Sequence, residues 1–170
     1  MTRRAPLLAT ALALALAGCS DDSPEKGADP AAAPTRAPPD PALAGQQIRE
    51  PLVAEDIAGA ALAGELSCSF AQAGAEGPLL VAQADVTDQA RAAGVLKLGP
   101  STLRLRGAGT GGFNAMVHGA RFTSGQLEAR VVVTSDTPTA GGESPPLPAR
   151  LEIASAAGPQ QIDGEWTCGP

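Results

Sequence analysis

The chain has 170 residues, with 18 acidic against 12 basic side chains for a formal charge of −6, and 2% aromatic residues. Lys and Arg form no cluster in it, so nucleic acid is excluded as a partner: phosphate backbones need concentrated cations, and single strands need stacking rings. Three cysteines and one histidine, with no Cys-x-x-Cys pair, offer no ligand set for a closed zinc site; no metal or cofactor is expected.

In chain order, Arg3 and Arg4 precede an apolar run over residues 7–17 made almost wholly of Leu and Ala. The layout is that of a cleaved secretory signal. The run is about half of the roughly 20 residues that a spanning helix needs. Thr2-Arg3-Arg4 brushes the twin-arginine export signal, but Pro6 stands where that motif wants an apolar side chain. Leu16-Ala17-Gly18-Cys19 resembles the lipobox of bacterial lipoproteins. The resemblance implies that residues 1–18 are removed as a signal peptide and that Cys19 carries a diacylglyceryl group, with an acyl chain such as palmitate on its amine. The partner so implied is the lipid bilayer. At about 0.8 kcal/mol per buried methylene, two or three chains hold firmly. Ser20, following the cysteine, fits the periplasmic leaflet of the outer membrane rather than the inner membrane.

Loss of Arg3 and Arg4 takes the basic count down by two against 18 acids, so the mature chain carries about −8. Residues 19–51 are rich in Pro and Ala with almost no large apolar side chain, so they read as a lipidated N-terminus and a disordered tether. In polyproline II geometry, at about 3.1 Å per residue, the segment from Ser20 to Pro41 reaches up to roughly 60 Å. Residues 52–170 then suffice for one domain.

Within that domain, residues 54–61 read as a short helix. Period-two alternation follows almost throughout: Leu80, Ala82, Ala84 and Val86; Leu96 and Leu98 around Lys97; Leu103 and Leu105 between arginines; Phe113, Ala115 and Val117; Leu127, Ala129, Val131 and Val133; Leu151 and Ile153 around Glu152. Such alternation marks antiparallel sheet with one wet face. Gly99-Pro100, the glycine-rich residues 107–112, Ser124-Gly125 and Gly158-Pro159 punctuate it with turns. The fold class is all-β: a small antiparallel barrel or sandwich of about eight short strands.

With Cys19 assigned to lipid, Cys68 and Cys168 remain, and an exported chain pairs them as a disulfide. They end two similar stretches, Leu62-Ala63-Gly64-Glu65-Leu66-Ser67-Cys68 and Ile162-Asp163-Gly164-Glu165-Trp166-Thr167-Cys168. Both read as half-buried strands. If they lie side by side or face each other across a core, the bond ties the first strand to the last and the sheet closes on itself.

Catalytic signals are sparse. His118 is the one histidine, so a Ser or Cys triad must be built around it, and no Gly-x-Ser-x-Gly elbow is present. No catalytic residue is assigned, and a hydrolase using His118 stands as a minor alternative. Residues 107–112 lack the Gly-Lys-Ser/Thr ending of a phosphate loop. Residues 137–148 form the longest internal loop, and Arg104, Arg106, Arg130 and Arg150 alternate with acids on sheet faces, where a solvated surface or an anion-binding patch is expected. His118-Gly119-Ala120-Arg121-Phe122-Thr123-Ser124-Gly125 is similar to a stretch of membrane-bound lysozyme inhibitors, small periplasmic β-barrel lipoproteins with a cysteine near each end. That resemblance implies a binding loop at Gly119, Ala120, Arg121 and Phe122 entering a muramidase cleft. His118 and Phe122 depart from the serine and tyrosine of that pattern. The leading expectation is a non-enzymatic envelope lipoprotein that binds a protein or glycan of the envelope.

Overall fold

The computed structural model describes residues 47, 48 and 50–170. The signal, Cys19 and most of the tether lie outside the described residues. One helix, α1 (Ala54–Ala60), precedes eight strands: β1 (Leu66–Gln72), β2 (Leu80–Ala84), β3 (Ala93–Leu98), β4 (Ser101–Gly107), β5 (Gly119–Ser124), β6 (Leu127–Val133), β7 (Leu147–Ala154) and β8 (Gln160–Gly169). Each strand pairs antiparallel with the next, and β8 returns to β1, so the sheet is a closed barrel and not a sandwich. Closure removes every sheet edge, the feature that otherwise invites aggregation.

The closing seam pairs Cys68 with Cys168 and Phe70 with Trp166 as direct cross-strand partners. Cys68 and Cys168 are joined by the expected disulfide, across a sequence separation of 100. The alternation explains what fills the barrel: Phe70, Leu80, Leu96, Phe122, Leu151 and Trp166 are all buried side chains of one core. Among the described residues that core holds no buried polar or charged residue. Trp166 satisfies its indole by donating Nε1–H to the carbonyl of Met116 at 2.8 Å, as a buried donor must. Met116 lies in the β4–β5 connection, so this bond ties the last strand to the segment that covers one end of the barrel. Gly164 is forced at the seam: a Cβ there would run into the backbone of Ala71 and the ring of Phe70.

A second, smaller cluster lies outside the barrel. Val81 and Val95, outward-facing partners on β2 and β3, are covered by Leu52, Ala60 and the half-buried Ile57 and Leu62. The helix therefore forms where residues 54–61 were read, because its apolar stripe has a sheet face to cover. Val53 has no side-chain acceptor for a cap, but its own N–H donates to Asp56 Oδ2 at 3.1 Å, one half of a capping box.

Three expectations change. First, the chain joins the barrel before Leu52: Ile48 is 5% exposed, its N–H donates to Gln160 Oε1, and Gln47 accepts a bond from Gly99 N–H. Second, residues 62–65 are not strand. Ala61 ends the helix in the left-handed region, and Gly64, at φ 135°, lies against the backbone of Ala84. The likeness of the two cysteine segments thus extends only over the strand part of the first.

Third, residues 113–117 are a run of turns. Local bonds from Ala115 N–H to Gly111, Met116 N–H to Phe113 and Gly119 N–H to Met116 take the place of a ladder. Met116, not Ala115, is the buried side chain of that run. The strand lies one segment later, as β5. Val86 also falls past the end of β2 and is 51% exposed.

Bridging about 100 residues, the disulfide carries roughly 4.7 kcal/mol on the chain-entropy model. Replacing both cysteines, Cys68→Ser with Cys168→Ser, should cost about 2–5 kcal/mol of stability in urea denaturation. A loss below about 1 kcal/mol would show that the β1–β8 ladder closes the barrel unaided.

Candidate functional site

The cysteine pair and the candidate loop residues fall as follows. Cys68 and Cys168 are consumed by their disulfide, and Cys19 lies outside the described residues. Gly119, Ala120, Arg121 and Phe122 are not a loop: all four belong to β5. Phe122 is 0% exposed in the core, and Gly119 and Ala120 are half-buried. The backbone there is committed to the sheet, since Gly119 to Phe122 are the ladder partners of Val132 to Ala129. Arg121 is the one exposed member, and it makes an ion pair with Glu128 at 3.2 Å.

His118 is exposed at the end of the turn run, beside a shallow depression also lined by Arg121 and Arg130. Among the described residues, no side-chain hydrogen bond joins it to a serine or a carboxylate. Four N–H groups of the glycine-rich segment are spent on neighbouring backbone: Gly107 donates to Ala92 O, Gly111 and Gly112 both donate to Ala90 O, and Ala108 donates to Arg121 O. It forms no cradle for phosphate. Residues 137–148 are partly pinned, with Thr139 Oγ1 bonded to Glu165 Oε1 at 2.6 Å and its N–H to Pro146 O. No three His, Cys, Asp or Glu side chains gather as a metal site among the described residues.

Charge divides the outer face in a way that strand reading left open. Of the described Lys and Arg residues, Lys97 lies 3.5 Å from Asp56 and 3.6 Å from Glu50, Arg121 pairs with Glu128, Arg130 with Glu152 and Arg150 with Asp163. Among the described residues, Arg91, Arg104 and Arg106 make no ion pair with a carboxylate. These three come together around an open depression of about 580 Å³ over the outer face of β4, whose lining includes Thr123, Ser124 and Gly125 and no acid. Arg104 and Arg106 share that face because they are two apart on one strand. Arg91 joins them through strand pairing: it sits two residues before Ala93, the cross-strand partner of Arg106.

Two of the guanidiniums are held in place. Arg91 Nη1 donates to the carbonyls of Gly107 and Ala108, each at 2.9 Å, and Arg104 Nη2 donates to Ala61 O at 3.3 Å. Arg106 is exposed and holds no such bond. Sequence reading named Arg104 and Arg106 but grouped them with Arg130 and Arg150, which are neutralised on other strands. It missed Arg91, for which no local pattern exists.

Beside this face, Asp56 fastens α1 to the barrel. Its carboxylate accepts from Val53 N–H and from Thr102 Oγ1 at 3.1 Å each, with Lys97 close by. The Val53 backbone bond, chiefly, holds the Asp56 carboxyl below the usual range, helped by Thr102 and Lys97 against partial desolvation.

No protein-family model, curated protein or solved structure matches this chain. Fold and site therefore define it as a disulfide-closed, eight-stranded antiparallel barrel with an uncompensated arginine face.

A carboxylate whose folded-state pKa is lowered stabilises fully above its unfolded value, and that contribution is lost as pH falls through the folded value. Acidification below about pH 4 should therefore loosen α1. Protection factors of the α1 amides, followed from pH 6 to about pH 3, should fall more than those of β6, and Asp56→Asn should already show lower α1 protection at neutral pH. Equal acid response in wild type and Asp56→Asn would remove Asp56 from this role.

Proposed function

We propose that the chain is a lipid-anchored lipoprotein of the bacterial envelope, seated in the periplasmic leaflet of the outer membrane. Its barrel serves as a non-enzymatic binding module on a tether. The observation that carries this reading is the division of the cysteines. Cys68 and Cys168 are bonded to each other, so of three cysteines Cys19, at the lipobox-like Leu16-Ala17-Gly18-Cys19, is the thiol left for lipid.

The disulfide is compatible with an oxidising compartment outside the cytoplasm. Support for binding over chemistry comes from the exposed His118, to which, among the described residues, neither nucleophile nor orienting carboxylate is bonded. A barrel interior filled by apolar side chains turns recognition to the outer surface.

A lysozyme-inhibitor role is the second reading, favoured by the closed barrel with a cysteine near each end. It draws less support, because three of the four residues that would enter the cleft are buried or half-buried in β5. Muramidase activity unaffected by micromolar full-length protein would remove it.

Cells fed labelled palmitate should incorporate label into the wild-type chain and lose it in Cys19→Ala, with the barrel still folded by its disulfide. Label retained by Cys19→Ala would place the acyl chain elsewhere and overturn the anchor.

A further inference from the structure

The arginine face is the one strongly charged surface of the described barrel without compensating acids. Arg91, Arg104 and Arg106 meet there although the chain is acidic overall, at −6. Cations spread on a solvated sheet find acids across strands, as Arg121, Arg130 and Arg150 do. The three around β4 do not, and two of them are held by backbone carbonyls instead, Arg91 by Gly107 and Ala108 and Arg104 by Ala61. A carbonyl orients a guanidinium without cancelling its charge. Arg91 and Arg104 keep Nε and one Nη free of these bonds, and Arg106 keeps its whole fork. Thr123, the cross-strand partner of Arg106, and Ser124 border the same depression with hydroxyls.

We infer that this face is a binding site for a phosphate group, held by Arg91, Arg104 and Arg106 with help from Ser124. A planar guanidinium matches two oxygens of an oxyanion in a fork. One carboxylate has two oxygens and saturates one fork, whereas a tetrahedral phosphate offers three or four acceptors to groups converging from several sides. A sugar ring has no platform here, because Phe70, Phe122 and Trp166 are fully buried inside the barrel and Phe113 is half-buried outside this depression. The same chemistry serves a soluble phosphate or the phosphate of an anionic lipid headgroup.

This inference deepens the binding-module reading and rests on it, but the two fail separately: palmitate labelling tests the anchor, and phosphate titration tests the face. The lipidated mature chain, labelled at arginine Nε, is titrated by NMR in neutral detergent micelles. Three additions are compared: inorganic phosphate, acetate at equal ionic strength, and phosphatidylglycerol doped into the micelles. Phosphate should shift the Nε resonances of Arg91, Arg104 and Arg106 saturably, and acetate should not.

A response to phosphate in undoped micelles identifies a soluble ligand. A response only to doped micelles identifies a headgroup. Arg106→Gln should weaken the response by about tenfold, as expected for one lost charge-assisted bond. Arg106→Lys, which keeps the charge and loses the fork, should also weaken it, while Arg130→Gln on the neighbouring face should not. No saturable shift with phosphate up to about 10 mM or with doped micelles overturns the inference, as does an equal response to acetate or unchanged affinity in both Arg106 variants.

Discussion

The contact on which this molecule depends is the seam between its first and last strands. β1 and β8 are far apart in sequence, and bringing them together carries the largest loop-closure cost in the fold. Once Cys68 faces Cys168 and Phe70 faces Trp166, the sheet has no free edge. Trp166 extends the closure to the barrel end through its bond to the Met116 carbonyl. Gly164 keeps the seam tight by leaving room for the Ala71 backbone and the Phe70 ring. A covalent bond at this place makes physical sense in a chain whose core relies on Ala, Val and Leu, because burial contributes only about 25 cal/mol per Å² and small side chains bring little area each.

A closed sheet with a filled interior has only its outside to offer. There the barrel uses three kinds of surface. Over β2 and β3 it is apolar and covered by α1, with Asp56 and Lys97 as the fastening. Over β6 to β8 it is charged and internally neutralised, by Arg130 with Glu152 and Arg150 with Asp163. Around Arg104 and Arg106 of β4 it is cationic, with carbonyls holding Arg91 and Arg104 and, among the described residues, no ion pair. Two of these surfaces are complete in themselves, and the third is the one whose chemistry asks for an outside ligand.

Much of this was legible in the sequence, for reasons that differ by element. Leu96 and Leu98 around Lys97, or Leu151 and Ile153 around Glu152, give strands because alternation sorts side chains to two faces and one face is buried. Gly99-Pro100, Ser124-Gly125 and Gly158-Pro159 sit at the hairpin ends where their backbone preferences are needed. Period two misleads at Phe113 to His118, where Phe113, Ala115 and Val117 recur at every second position but local turn bonds win after Gly111 and Gly112 at positive φ. β5 was hidden for the opposite reason: Gly119 and Ala120 carry little apolar signal, and their strand state comes from β6 beside them. The arginine face was half legible. Arg104 and Arg106 are two apart on one strand, but Arg91 reaches them through the β3–β4 register, which no local reading of the chain contains.

Cys68 and Cys168 are bonded at the seam, and Cys19 is the cysteine we propose for the membrane. Mass spectrometry of the protein isolated from bacterial envelopes without reduction reads all three at once. The account predicts an N-terminal peptide that begins at Cys19 and carries a diacylglyceryl group and an acyl chain, together with a disulfide-linked pair of peptides containing Cys68 and Cys168. An unmodified Cys19 within an uncleaved leader, or free thiols at Cys68 and Cys168, would contradict it.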